Sequence, residues 1–286
     1  MSRSATVITH SRAEELVESL RRVTAAAAAA EVTLRFDPDE TRKHQIAPGD
    51  GIVTDAPIDA SVDLCLVLGG DGTILRALRL YARTGVPVFA VNYGDVGFLA
   101  TVEPDDIEEG LRRAFSGDFE PMQLPAVVLA DGDDWLGIND VSFHRKPGFR
   151  VAELAYAIGP DEVGRVRCDG LVVSTPAGST GYNLANGGPV MAWGVEGFVV
   201  SFIAPHSLTA RNLVVAPNDT VTVQNRSRDP IDVTVDGRPT CELAAEDGLQ
   251  VRFVDAQTVL AQMPGSSFYH RLRQTFGRLA SYQPTD

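Results

Sequence analysis

The sequence predicts an α/β domain with a parallel sheet, followed by a second, mostly β domain. Three observations carry this reading. Up to about residue 120, short apolar runs of strand type alternate with segments of helical pattern, the order that builds a parallel sheet with helices on its faces. Within that stretch VDLCLVL (62–68) reads as a continuous β-type run, as expected of a strand covered on both faces. Beyond residue 120 the runs become short and β-rich, turn signals separate most of them, and long helical periods disappear. The expected boundaries are 1–118, 119–262 and a tail, 263–286.

The elements follow in order. ATVITH (5–10) is a first strand, and Ser11 is the expected cap of the helix RAEELVESLRRVTAAAAAA, with Glu14 and Glu15 in its first turn. Its alanine run is a strong helix former rather than a linker. VTLRF (32–36) is a second strand. Residues 37–61, rich in Asp, Pro and Gly and without a period, are expected to be mostly loop. TILRALRLYART is a helix after VDLCLVL, with Thr73 as its expected N-cap, and VPVFAVN (86–92) is the next strand. PDDIEEGLRRAF (104–115) opens on Pro and carries acids in its first turn, as helices do. In the second domain PAVVLA, WLGINDVSFHR, RVAELAYAIG, GLVVST, FVVSFIA, TVTVQNR, IDVTVDGR and GLQVRFV read as strands, with V-D-G-R (235–238) marking a tight turn. FYHRLRQTFGRLASY (268–282) is helical again.

Composition bounds the function. At 286 residues, 44% hydrophobic and 22% charged, the chain is an ordinary globular protein with one large or two small domains. No apolar run approaches a membrane span, and residues 1–10 lack a signal peptide's apolar core, so the expected location is the cytoplasm. Cys65, Cys168 and Cys241 show no metal or disulfide spacing and read as small buried residues. The formal charge of −13 argues against nucleic acid and anionic membranes as partners. Only Lys43 and Lys146 stand beside twenty-three arginines, and twenty-four aspartates outnumber fourteen glutamates. That bias resembles proteins of salt-loving organisms such as halophilic archaea; a GC-rich genome, which also replaces Lys by Arg, is the alternative, though it does not by itself explain the excess of negative charge.

The chemistry concentrates in four stretches. LVLGGDGTILRAL (66–78) stops a strand at Gly69-Gly70-Asp71-Gly72-Thr73 and opens a helix. Carboxyl ends of parallel strands are where α/β sheets bind ligands, and amides of a glycine turn and a helix N-terminus favour phosphate. A P-loop is excluded because there is no lysine, and a dinucleotide fingerprint because position 75 is leucine. What remains is an aspartate inside the loop, unhelpful among phosphate-binding amides unless it binds a metal or accepts a proton; a plain helix cap is the bland alternative. NYGDVGFL (92–99) is a second glycine-bearing turn at a strand end. INDVSF (138–143) offers Asn139 and Asp140, an amide and a carboxylate suited to vicinal hydroxyls such as a ribose, or else an ordinary Asx turn. RCDGLVVSTPAGSTGYNLANGGP (167–189) ends a strand in a loop dense in small polar residues. There Tyr182 can stack on a ring, and Thr180 and Asn183 can hydrogen-bond one. Five dispersed histidines show no metal spacing, and the surroundings of Ser179 do not make a G-x-S-x-G elbow.

GGDGT, then N-x-G-x-x-G-F-L, then an Asn-acid pair, then D-G-L-V-V-S-T-P-x-G-S-T-x-Y-N and G-G-P, in that order, resembles the NAD kinase family. The motifs run from residue 69 to about 238; the long loop is specific, whereas diacylglycerol and sphingosine kinases share a GGDGT-like loop. The resemblance implies a Rossmann-like N-terminal domain, a C-terminal β-sandwich and a tail that returns to the first domain. It implies an enzyme that phosphorylates the 2′-hydroxyl of the adenosine ribose of NAD, with ATP or polyphosphate as donor and Mg²⁺. Asp71 is then the catalytic base, and Gly69, Gly70, Gly72 and Thr73 the phosphate loop. The NAD-binding residues implied are Asp71, Gly72, Asn139, Asp140, Asp169 and the segment Thr180, Gly181, Tyr182, Asn183 and Ala185. Arg76, Arg150 and Arg167 occupy positions where relatives place NAD-contacting groups, with surface ion pairs as their bland alternative; arginine at the position of Arg167 goes with preference for NAD over NADH. Three departures stand out: Asp140 where the family usually has glutamate, Ala177 for Thr or Ser, and Gly181 for Ala. No side-chain metal cluster is expected, and the resemblance implies a homodimer or homotetramer. The alternatives are a lipid kinase of the diacylglycerol or sphingosine type and a catalytically silent NAD-binding protein.

Overall fold

The computed structural model describes residues 3–94, 97–129 and 135–277. They divide into two compact units, Met1–Gln123 with Thr258–Asp286, and Leu124–Gln257.

In the first unit β1 (Arg3–Thr9) leads to α1 (Val17–Ala29), β2 (Val32–Arg35), α2 (Pro38–His44) and the short β3 (Ile52–Val53). Then come β4 (Leu64–Gly69), α3 (Asp71–Leu80), β5 (Pro87–Asn92) and α4 (Ile107–Ser116). The strands are parallel in the order β5-β4-β1-β2-β3. The chain thus leaves β1 in one direction and returns to its other side at β4. Such a reversal opens a crevice beyond the carboxyl ends of the two strands. Every residue of β4 is buried, which is why its sequence is apolar without alternation. α1 buries Ser19, Val23 and Ala27, one residue per turn at a spacing of four, and α4 buries Ile107, Leu111, Ala114 and Phe115. Gly117, at φ +79°, ends α4 in the left-handed conformation glycine adopts most easily.

Residues 37–61 are mostly loop, as expected, apart from the short β3 and α2; α2 is started by Asp37, whose carboxylate accepts from Glu40 N–H at 2.7 Å, with Pro38 in the first turn. Two local expectations are corrected. Ser11 does not cap; a 3-10 turn, Ala13–Leu16, precedes α1 instead. Thr73 is no N-cap either, because α3 already begins at Asp71 with the extended Gly70 in the cap position.

The second unit is a sandwich of antiparallel sheets. It is built from β6 (Glu120–Leu129), β7 (Leu136–Gly137), β8 (Asp140–Arg145), β9 (Ala152–Ile158), β10 (Asp161–Cys168) and β11 (Gly170–Ser174). After the short helix α5 (Tyr182–Ala185) follow β12 (Phe198–Ile203), β13 (Leu213–Val215), β14 (Thr220–Asn225), β15 (Ile231–Val235), β16 (Arg238–Leu243) and β17 (Gly248–Gln262). One sheet runs β13-β12-β11-β8-β15-β16 and the other β10-β9-β14-β17, with β6 and β7 paired beside it. Between them lies a core that includes Phe143, Leu154, Leu171, Phe198, Val221 and Val233. The expected strand WLGINDVSFHR is broken at Ile138–Asn139, and β10, β13 and β16 were not anticipated. V-D-G-R is the tight turn expected: Asp236 and Gly237, both at positive φ, join β15 to β16. β17 outruns its expected end at residue 254, and its last part pairs in parallel with β5, Val259 beside Pro87.

The described part of the tail forms α6 (Phe268–Phe276), capped by Ser267. Its expected continuation, 278–282, lies outside the described residues, as do Ala130 of PAVVLA and Asp95 and Val96 of the NYGDVGFL turn. Cys65 and Cys168 are buried as expected, but Cys241 is exposed on β16. Among the described residues no helix is long and apolar enough to cross a membrane.

Candidate functional site

Two clusters of chemically capable residues emerge, one in each unit. In the first unit the reversal between β1 and β4 places Gly69–Thr73 at the carboxyl edge of the sheet. The Asp71 carboxylate does not cap α3. It accepts backbone N–H bonds from Phe98 (3.1 Å) and Leu99 (3.2 Å), joining the GGDGT loop to the turn that follows β5. The glycines of both loops serve this union. A Cβ on Gly94 would lie 2.8 Å from Gly70 Cα, and one on Gly97 2.1 Å from Asp71 Oδ1. A Cβ on Gly69 would collide with Thr73. Gly72 differs: it is exposed, with open space where a side chain would be. Its amide and that of Asp71 belong to the first turn of α3, whose N–H groups have no intrahelical acceptor and favour an anion. Burial pushes the Asp71 carboxyl above the ordinary aspartate range, opposed by the two backbone N–H groups and by the Arg271 charge. The residue is nonetheless partly exposed, so a ligand can reach it.

Because Gly97 touches the carboxylate itself, Gly97→Ala is expected to displace Asp71 with little effect on the remainder of the fold. A misplacement on the order of 1 Å at a reacting group lowers turnover about 10²-fold. Steady-state kinetics on the variant, with circular dichroism to check its fold, tests this; unchanged kcat would separate Asp71's position from turnover.

Arg76 is half-exposed on α3 and faces two carboxylates of α2, Asp37 at 3.7 Å and Glu40 at 3.9 Å. Glu40 is fully buried at the end of β1, where Thr9 N–H, Thr9 Oγ1 and Lys43 Nζ donate to it at 3.1, 2.7 and 2.8 Å. With those three donors it is an internal anchor for α2.

In the second unit Asp236 organises the cluster. Its carboxylate accepts the N–H groups of Ile138 (3.1 Å), Asn139 (2.8 Å) and Asp140 (3.2 Å), which fixes the break between β7 and β8. The Asn139 carbonyl accepts from Thr175 N–H and Ser174 Oγ, and a Cβ on Gly178 would sit 2.0 Å from that oxygen. The 174–181 loop is thereby pressed onto the Asn139–Asp140 pair. Asn139 Oδ1 is buried with no hydrogen-bond partner. Burial, and then the negative charge of Asp236, push the Asp140 carboxyl up to about 7. These are acceptors without donors, the condition a ligand's hydroxyl or amino hydrogens relieve.

Tyr182, exposed on α5, stacks on His144 with ring centroids 5.7 Å apart and planes at 16°. His144 is steadied by Ser142 Oγ at 2.8 Å, and Ser142 by Thr234 at 2.7 Å. Tyr182 feels the charges of Asp140 and Asp169, so these residues share one neighbourhood. Asp169 is paired with Arg145, which donates from Nε and Nη2 to its two oxygens and holds its carboxyl below the usual range. Thr180 donates to Ala177 O at 3.0 Å and keeps its lone pairs for a donor. Gly181 and Ala185 are exposed beside Tyr182. Asn183 is fully buried: its amide nitrogen donates to Ser179 O and Pro189 O and shapes the loop, while its Oδ1, like that of Asn139, has no hydrogen-bond partner. Arg150 and Arg167 are exposed, the first on the turn between β8 and β9, the second on β10.

His144, Arg145, Asp236 and Arg271 were missed by sequence reasoning. Only Asp236 carried a local signal, and the tight turn it marks hid the work of its side chain.

A proton acceptor beside free amides in one unit, and hydroxyl acceptors with an aromatic face in the other, are the equipment of a small-molecule transferase. Comparison with known proteins narrows the class. The ATP-NAD kinase N-terminal domain matches residues 2–119 and the ATP-NAD kinase C-terminal domain residues 138–263. An NAD kinase of Gemmatimonas aurantiaca is 35% identical over 237 residues, covering 80% of this chain and 81% of its own length. One from Lachnoclostridium phytofermentans is 35% identical over 242 residues, covering 80% and 85%. Among solved structures, an NAD kinase from Archaeoglobus fulgidus in complex with ATP superposes with a TM-score of 0.76 at 26% identity, over 98% of this chain and 100% of the other. Yeast NADH kinase complexed with NADH gives a TM-score of 0.85 over 100% and 90% of the two chains; at 21% identity it speaks to the fold alone. The chain belongs to the NAD kinase family of enzymes.

Proposed function

We propose that the chain transfers a phosphoryl group from ATP to the 2′-hydroxyl of the adenosine ribose of NAD, giving NADP. The observation that carries the mechanism is Asp71: a carboxylate with a raised proton affinity, held by two backbone N–H groups and still accessible. A ribose hydroxyl is a poor nucleophile, and a positioned carboxylate accepts its proton as the oxygen attacks. The Gly72 amide and the start of α3 bind donor phosphates. Asn139 and Asp140 grip the adenosine part through their unpaired acceptors, Tyr182 offers a ring face, and Asp169, Thr180, Gly181 and Ala185 complete the NAD site. Arg76, Arg150 and Arg167, all with exposed guanidinium-bearing surface, provide positive charge for the pyrophosphate.

ATP as donor is supported by the Archaeoglobus relative, described in complex with it. Among the described residues no three His, Cys, Asp or Glu side chains form a metal cage; an Mg²⁺ brought on the donor phosphates fits these residues, and it supplies charge neutralisation when bound. Assembly as a homodimer or homotetramer, and a cytoplasmic location, belong to the same reading.

Incubation with NAD, ATP and Mg²⁺, and in parallel with polyphosphate, is expected to yield NADP. NAD binding without NADP from either donor would overturn the kinase reading in favour of a silent binder. Phosphorylation of diacylglycerol in place of NAD would mark a lipid kinase.

A further inference from the structure

We propose that Arg271, on the C-terminal helix α6, is a positioning residue for Asp71: it clamps the backbone that holds the carboxylate and sets a buried positive charge beside it. The inference rests on Asp71 being the base.

The geometry is a double grip on one short segment. Asp71 accepts the N–H groups of Phe98 and Leu99. Arg271 donates from Nη1 to the carbonyls of Phe98 (3.4 Å) and Ala100, and from Nη2 to Gln262 Oε1 (2.6 Å). Residue 98 is therefore held by its N–H on the carboxylate side and by its C=O on the guanidinium side. Three contacts seat α6 on this segment. Phe98 packs on Phe268 at 6.3 Å and on Phe276 at 5.8 Å, and Arg271, which lies between them in the helix, adds its bonds to the backbone.

Arg271 is mostly withdrawn from solvent, which lowers its own proton affinity, while Asp71 and Glu103 raise it. Among the described residues, Arg271 is the charged residue that acts on Asp71. Glu103, from the segment before α4, faces Arg271, and Asp106, Glu109 and His270 line the same cavity as Arg271. A guanidinium cannot lose its charge near neutral pH, so its field on Asp71 is constant across the enzyme's working range. A buried opposite charge favours the ionised carboxylate, the form that accepts a proton. Without it, only the two backbone N–H groups would oppose burial, and the carboxyl would move further towards the neutral, catalytically idle form. α6 thus does more than close the first unit's core; it adjusts the base.

The test is the pH dependence of kcat in the full-length protein with saturating NAD, ATP and Mg²⁺. In Arg271→Met the acid limb is expected to move up by about one pH unit or more, with kcat at pH 6 falling at least about tenfold and the KM for NAD little changed. Arg271→Lys keeps the charge and loses the fork, so its acid limb should stay within about 0.3 unit of wild type even where kcat drops. Gln262→Glu sets a carboxylate against the guanidinium without removing it, and a smaller upward shift is expected; this variant carries the measurement if Arg271→Met does not fold. An acid limb that moves in neither Arg271→Met nor Gln262→Glu, while Asp71→Asn is inactive, overturns the role of Arg271 alone. An Asp71→Asn enzyme that turns over normally overturns the base assignment itself.

Discussion

Asp71→Asn is expected to bind NAD normally and to lose turnover by at least about 10²-fold, the usual contribution of a positioned general base. The substitution is nearly isosteric, but it has two separable consequences. An amide cannot accept the ribose proton at any pH, so kcat should fall across the whole profile and not merely at its acid end. An asparagine also has one acceptor oxygen where the aspartate uses both, one for Phe98 N–H and one for Leu99 N–H. One of those bonds is lost, at about 1 kcal/mol of stability. Isothermal titration with NAD and a stopped assay of NADP formation separate these effects. In the wild type, the proton affinity of Asp71 is raised chiefly by burial. The acid limb of kcat should therefore lie above the ordinary aspartate range, with activity lost as pH falls through it. Retained turnover in Asp71→Asn, or an acid limb near the pKa of an exposed aspartate, would remove Asp71 from the chemistry.

The sequence disclosed the layers and most of the strands because burial on both faces leaves a direct signature: β4 is apolar at every position but its terminal glycine, and every residue is buried. It disclosed the loops whose residues lie close in the chain, such as Gly69–Thr73 and the 174–185 segment. It was less informative where a local signal had two readings. Asp37-Pro38 followed by Glu40 is a helix start as well as a turn, and the structure makes it α2, with Glu40 drawn under the end of β1. Thr73 looks like a cap, yet its side chain packs against Gly69, so the helix begins two residues earlier. What could not be read at all are partners distant in sequence. Phe98 N–H reaches Asp71 across 27 positions, and Asp236 reaches Asn139 across 97. Nothing around Arg271 marks it, and the turn that marks Asp236 says nothing of its side chain, since the partners of both are chiefly backbone groups that any residue would supply. The glycines change meaning for the same reason. Gly70 and Gly94 look like room for a ligand, but they are room for each other's backbone, and Gly72 alone of the GGDGT glycines faces open space.

Asp140→Asn is expected to make the free protein more stable at pH 8 and a weaker binder of NAD. In the folded chain the carboxyl titrates at about 7, against an ordinary value of 3.8. Between those two values the folded state holds a proton that the unfolded state has released. Stability therefore falls as pH rises from about 4 to 7, and above 7 the ionised carboxylate opposes folding by about 4 kcal/mol. Asparagine removes that penalty, less whatever its own amide hydrogens forgo, so the gap in melting temperature between variant and wild type should open across this window. Near pH 4, where the folded carboxyl is protonated and the unfolded one about half protonated, the two proteins should melt together to within about 1 kcal/mol. A gap that is the same at pH 4.5 and pH 8 would show that Asp140 ionises as an exposed aspartate does. The penalty has a use. Asp236 gives its own carboxylate to three backbone N–H groups, so its charge is fixed close to Asp140 and no donor is left over for the second carboxylate. A ligand that brings hydroxyl hydrogens supplies those donors, lowers the Asp140 proton affinity and expels the proton. NAD binding at pH 6.5 should then release a fraction of a proton to the buffer, seen as a binding enthalpy that changes with the buffer's ionisation enthalpy. In Asp140→Asn that dependence should vanish, and affinity should fall about 10- to 100-fold for the loss of a charged acceptor.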